Sequence, residues 1–136
     1  MKKGILILSL FAIWGSAKAQ SQVPVPQTGD TTKILTAVEV EPEFPGGFGN
    51  FYRYLAKSIK YPQEARSNGE TGRVMVQMVV EKDGSLSHIV VVRSVSYSLD
   101  AEAIRVITAS PKWKPGIQNG HPVRVQYVVP INFNLK

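Results

Sequence analysis

The end of the chain constrains the fold most. Val123, Val125, Tyr127, Val129, Ile131, Phe133 and Leu135 are apolar at every second position, and Arg124, Gln126, Asn132 and Asn134 stand between them. A period of two is that of a β-strand, with one face buried and the other in water. A strand of this kind needs neighbouring strands and a covering layer before it is stable. It also contains Pro130, which has no N–H to give to a ladder, and this places the strand at a sheet edge.

The preceding segments supply the partners. Gly72 to Lys82 alternates, with Val74, Val76, Met78 and Val80 on one side and Arg73, Gln77 and Glu81 on the other. Asp83-Gly84 is a dipeptide favoured in the turn between antiparallel strands. Leu86 to Val95 is the returning strand, with Ile89 and Val91 expected inward. Phe48, Phe51, Tyr52, Leu55 and Ile59 share one helical face, and Tyr61-Pro62 ends that helix. Pro62 opens a short second helix over Gln63 to Ser67, which Asn68-Gly69 closes. Ser98 or Asp100 is expected to cap a helix from Leu99 to Thr108, with Asp100 and Glu102 favoured in its first turn by the helix dipole. Trp113, between Pro111 and Pro115, is expected to plug an edge of the core. The order α-β-β-α-β predicts a two-layer α+β domain, its helices packed on one face of a small antiparallel three-stranded sheet. There is no internal repeat.

The beginning of the chain reads differently. Lys2 and Lys3 precede an apolar run from Gly4 to Gly15, and Ala17 and Ala19 make an A-x-A site. This is the pattern of a signal peptide over residues 1–19, cleaved after Ala19, and it predicts export to the periplasm. The alternative is an uncleaved inner-membrane anchor, but the run is shorter than the roughly 20 residues that span a bilayer. With no cysteine in the chain, lipoprotein anchoring, disulfides and thiolate chemistry are all excluded. Residues 20–38 are polar with Pro24 and Pro26, which predicts a flexible leader, and the domain is expected over 39–136. Losing Lys2, Lys3 and Lys18 with the signal takes the formal net charge from +6 to +3. The remaining cations are scattered without interleaved aromatics, so nucleic acid is not an expected partner.

No catalytic or metal constellation stands out. His88 falls in a strand and His121 in a loop, neither with a base, nucleophile or further ligands at a familiar spacing. Glu39, Glu41 and Glu43 alternate along an extended stretch but lack the oxygen spacing of a calcium loop. Gly46-Gly47-Phe48-Gly49 opens a helix without the Lys and Ser/Thr of a phosphate-binding loop. The expectation is a protein that is not an enzyme and carries no cofactor or metal. What remains is surface recognition: an edge strand is a template for another strand, unless it is simply protected, as Pro130, Asn132 and Asn134 could do here.

The ordered set of pieces resembles the C-terminal domain of the TonB family. The pieces are Tyr61-Pro62-Gln63-Glu64-Ala65, Gly72-Arg73-Val74-Met75-Val76, Asp83-Gly84, Val91-Val92-Arg93-Ser94, Leu99-Asp100-Ala101-Glu102-Ala103, Trp113-Lys114-Pro115-Gly116 and Val129-Pro130-Ile131-Asn132-Phe133. Pro42-Glu43-Phe44-Pro45-Gly46-Gly47 is similar to the version common in the Bacteroidetes. The resemblance implies a periplasmic domain that binds the TonB box of outer-membrane TonB-dependent transporters, the box adding as a strand beside the last strand. Carried over, the contact residues are Arg124, Val125, Gln126, Tyr127, Val128, Pro130 and Asn132, with Ser58 and Lys60 nearby. The stretch at Ser58 to Lys60 lacks the glutamines of well-known members. The chain also lacks a long Pro-rich spacer, and a flexible leader of about seventeen residues reaches only on the order of 25 Å. That favours a soluble relative that binds the box without transmitting force. The alternative is an envelope interaction or structural domain that binds peptidoglycan or pairs with its own copy as a homodimer.

Overall fold

The computed structural model describes residues 32–135. The expected signal peptide, its cleavage site at Ala19 and the first part of the leader lie outside the described residues. Within them the order is β1 (Ile34–Leu35), α1 (Phe48–Ser58), α2 (Gln63–Ser67), β2 (Gly72–Val80), β3 (Leu86–Arg93), α3 (Tyr97–Thr108), β4 (Gly116–Gln118) and β5 (His121–Phe133). No helix among the described residues is long and apolar enough to cross a membrane.

The sheet is built around β2. Its alternation buries Val74, Val76, Met78 and Val80 completely. It pairs antiparallel with β5 from Gly72↔Phe133 to Val80↔Val125, and antiparallel with β3 on its other side. The matching face of β5 buries Val125, Val129, Ile131 and Phe133. Each such side chain, fully withdrawn from water, contributes about 1.5–3 kcal/mol. In β3, Ile89 and Val91 pack against this core as expected, while Val90 and Val92 remain exposed.

The helices cover the buried face. Phe51 and Leu55 of α1, Ala65 of α2, and Leu99, Ala103, Val106 and Ile107 of α3 all enter the core. The Tyr54 hydroxyl donates to Val106 O at 2.8 Å and ties α1 to α3. The cap of α3 lies two residues earlier than the first of the two expected residues: the Ser96 side chain accepts from Leu99 N at 3.3 Å. Asp100 instead accepts from Val95 N at 3.0 Å and from the Ser94 hydroxyl, bracing the loop that enters the helix.

The expected three-stranded sheet needs correction, because the sheet has five strands in the order β1-β5-β2-β3, with β4 paired to β5. The two additions are too short to show a period. Ile34 and Leu35, which the sequence places in the leader, pair parallel with Arg124 and Val125. Gly116–Gln118 turns through Asn119-Gly120, both at positive φ, and pairs with His121–Val123. The arm before α1 is bridged to this hairpin at Val40↔Ile117 and to the loop before it at Glu43↔Lys114.

Trp113 is nearly buried and plugs the core beside the β2–β3 turn. Its backbone N–H donates to Gly84 O at 2.9 Å. Gly84 has φ +89°, and a Cβ there would lie 2.1 Å from Trp113 O. Gly84 is therefore required twice, by the turn and by the tryptophan loop lying against it.

Candidate partner-binding site

One side of β5 is occupied by β2 along Val125 to Phe133. On its other side β1 covers only Arg124 and Val125. From Gln126 to Asn132 no strand among the described residues pairs with that second side. The backbone there is an open edge within an otherwise paired sheet, the arrangement that accepts an added strand.

Pro130 indicates which groups face outward. A proline sits in a paired strand without loss when its nitrogen faces the unpaired side. N–H and C=O directions alternate along a strand, so Gln126, Val128 and Asn132 present theirs on the same side as Pro130. The odd-numbered residues then direct their backbone groups to β2.

The side chains expected to form the contact are distributed unevenly. Val125 is fully buried and Val128 is 41% exposed. Gln126 and Pro130 are half-buried, and Asn132 is exposed and accepts from Arg73 Nε at 3.0 Å. Arg124 is engaged elsewhere: Nε donates to Glu81 Oε1 at 2.7 Å, Nη2 to Glu81 Oε2 at 3.1 Å, and Nη1 to Thr32 O at 2.6 Å. Those bonds hold the Glu81 carboxyl below its ordinary range, the Arg124 hydrogen bond being the main cause. Tyr127 is half-buried with its ring centroid 6.0 Å from that of Trp113. Burial, and then the charges of Glu41 and Glu43, push its hydroxyl up.

Ser58 and Lys60 sit at the end of α1, where their main chains are already bonded. Arg105 Nη2 donates to Ser58 O at 2.7 Å, and Lys60 N donates to Glu102 Oε2 at 2.7 Å. Ile59, between them, lines a groove of about 460 Å³ together with Tyr52, Leu55, Ala56, Tyr61, Asn132, Phe133 and Asn134. This groove is what joins the end of α1 to the end of β5.

A second depression, of about 410 Å³, adjoins Tyr127 and is walled by Phe44, Phe48, Phe51 and Trp113, with Pro42, Glu41 and Glu43 at its rim. Phe48 and Tyr52 are 53% and 48% exposed. Neither stands out in the sequence as a surface residue, because both share the helical face of Phe51 and Leu55. Only the placement of β5 separates the half of that face which enters the core from the half left beside the open edge. His88 and His121 are exposed, and His121 is the first residue of β5 where the sequence placed it in a loop. Among the described residues no three His, Asp or Glu side chains converge on a possible metal position.

Comparison with known proteins agrees with this architecture. The profile of the Gram-negative bacterial TonB protein C-terminal region matches residues 57–135. The chain belongs to the TonB C-terminal family. Two NMR solution structures of the Helicobacter pylori TonB C-terminal domain are similar to it. The one spanning residues 194–285 has a TM-score of 0.52 and 26% identity, covering 65% of this chain and 92% of that one. The one spanning residues 179–285 has a TM-score of 0.50 and 27% identity, covering 68% and 87%. No curated protein matches. TonB C-terminal domains are in general non-enzymatic protein-interaction domains that act with outer-membrane transporters, and TonB-family proteins are in general periplasmic or membrane-anchored.

Proposed function

We propose that this domain binds the TonB box of outer-membrane TonB-dependent transporters in the periplasm, the box adding as a strand along Gln126 to Asn132 of β5. The observation that carries this reading is the second side of β5, which β1 covers at Arg124 and Val125 only. Main-chain groups of Gln126, Val128, Pro130 and Asn132 supply the bonds, so affinity depends little on the identity of those side chains. Arg124 and Val125 mark one end of the site, where β1 blocks further pairing. Ser58 and Lys60 act indirectly, holding Ile59 beside the other end.

Titration of the ¹⁵N-labelled protein with synthetic TonB-box peptides from the host's transporters tests this. The expected result is a set of amide shifts concentrated in Gln126 to Asn132. No shift in that segment at millimolar peptide contradicts it, and favours instead an envelope domain that binds peptidoglycan or a second copy of itself.

A further inference from the structure

The open edge is not bare on its helix side. Tyr127, Val129, Ile131 and Phe133 point to the same face of the sheet, the one covered by helices. Tyr127 and Phe133 are about 20 Å apart along the strand at roughly 3.3 Å per residue. The depression rimmed by Glu41 and Glu43 adjoins the first, and the groove at Asn134 adjoins the second. Phe48 lines one and Tyr52 the other. Their rings stack with centroids 5.4 Å apart and planes 9° apart, forming a continuous aromatic ridge on the exposed side of α1. The two depressions, bridged by this stacked pair, form a trough along the helix-side face of β5.

We propose that this trough reads the side chains of an added strand, selecting a partner segment with a lysine or arginine at the Tyr127 end and apolar side chains against Phe48 and Tyr52. This rests on strand addition at β5. A strand paired there turns every second side chain towards the ridge. The chemistry differs along the trough. At the Tyr127 end two carboxylates, on alternate residues of the extended arm, border a pocket walled by aromatic faces. Aromatic faces together with carboxylates suit a cation. The nearest built-in cation, Lys114 Nζ, is 4.0 Å from Glu43 with both side chains largely exposed, so much of the charge is uncompensated. The other end carries Tyr61, Asn132 and Asn134, with Arg66 5.3 Å from the Tyr61 ring and Arg73 bonded to Asn132, so it does not favour a cation. In the middle, the half-exposed rings of Phe48 and Tyr52 offer mainly apolar contact. The trough therefore sets the direction of the segment as well as its composition.

The probes are acetylated, amidated heptapeptides with lysine at the first position, valine at the third and fifth, asparagine at the seventh and threonine elsewhere, made in forward and reversed order. A matched pair carries glutamate in place of lysine. Amide shifts of the ¹⁵N-labelled protein give both the location and the affinity of each. The better lysine peptide is expected to bind roughly tenfold more tightly than its glutamate counterpart at low salt, with the difference shrinking as salt rises. The double change Glu41→Gln with Glu43→Gln removes that difference, and Phe48→Ala or Tyr52→Ala weakens both peptides together. Lysine and glutamate peptides that bind equally, with shifts along Gln126 to Asn132, overturn the proposed selectivity and leave strand addition standing. Lysine-dependent shifts at Phe48, Trp113 and Tyr127 with none along Gln126 to Asn132 keep the cation pocket and overturn strand addition. No binding by any of the peptides overturns the trough as a reader.

Discussion

Glu102 accepts the backbone N–H of Lys60 at 2.7 Å, so a carboxylate on α3 fixes the end of α1. The carboxylate is 8% exposed. Arg105, one turn on, donates to it from Nε at 2.8 Å and from Nη2 at 2.7 Å, and bonds Ser58 O with the same Nη2. One ion pair thus positions the chain on both sides of Ile59, where the groove at the end of β5 begins. Glu102→Ala leaves an N–H and a guanidinium without their partner. The expected loss is about 2 kcal/mol, since bonds to charged groups contribute on the order of 1.5–3 kcal/mol. Urea unfolding of the two proteins checks it, and a loss within experimental error contradicts the structural role.

The same pair gives the fold a dependence on acidity. Burial raises the Glu102 carboxyl, but the bonds from Arg105 and Lys60 N–H outweigh it, and the group lies below its ordinary value of 4.5. Glu81, held by Arg124, is shifted the same way. A carboxyl that is more acidic when folded adds stability above its unfolded pKa and loses it as pH falls through the folded one. Stability is expected to be level above about pH 5 and to fall below about pH 4.5, with a shallower fall in Glu102→Gln. Urea midpoints across that range give the slopes.

Two glycines at positive φ separate strain from collision. Gly84→Ala places a methyl 2.1 Å from Trp113 O, whereas at Gly120, with φ +78°, nothing lies within 4 Å. Gly120→Ala is expected to cost about 1 kcal/mol for the left-handed backbone alone. Gly84→Ala is expected to cost about 3 kcal/mol or more, because the backbone of the tryptophan loop must also move. Thermal unfolding of both variants tests the difference, and equal losses contradict the close approach.

Much of this architecture was legible in the chain because β2 and β5 each bury one face, and period two then fixes which residues are inward. β1 and β4 were not legible. Two and three residues carry no period, and their pairing depends on partners far along the chain. Ser94, Ser96, Ser98 and Asp100 all lie before or at the start of α3, and local chemistry does not choose among them. Glu102 read only as a first-turn residue favoured by the helix dipole, since its main-chain partner lies 42 residues earlier. At the site, Pro130 pointed to an edge strand, but β5 lies between β1 and β2, and its second side is left unpaired only beyond Val125, where β1 ends. Phe48 and Tyr52 were hidden in an apolar stripe that the fold divides.

Val128→Pro separates edge pairing from folding. If Val128 directs its N–H outward as Pro130 does its nitrogen, proline costs the sheet no bond to β2. Stability is expected to stay within about 1 kcal/mol of the parent, while box-peptide affinity drops by roughly tenfold or more through one lost bond and the intruding ring. Unfolding together with peptide titration reads both, and a variant that unfolds while Gln126→Pro does the same contradicts the outward assignment.

Amide hydrogen exchange along β5, measured with and without saturating box peptide, addresses the strand-addition account most directly. It predicts that Gln126, Val128 and Asn132 exchange quickly in the free protein and slow by at least about tenfold with peptide bound, while Val129 and Ile131, already bonded to β2, change little. Uniform slowing along the strand, or none at the three outward amides despite binding, contradicts it.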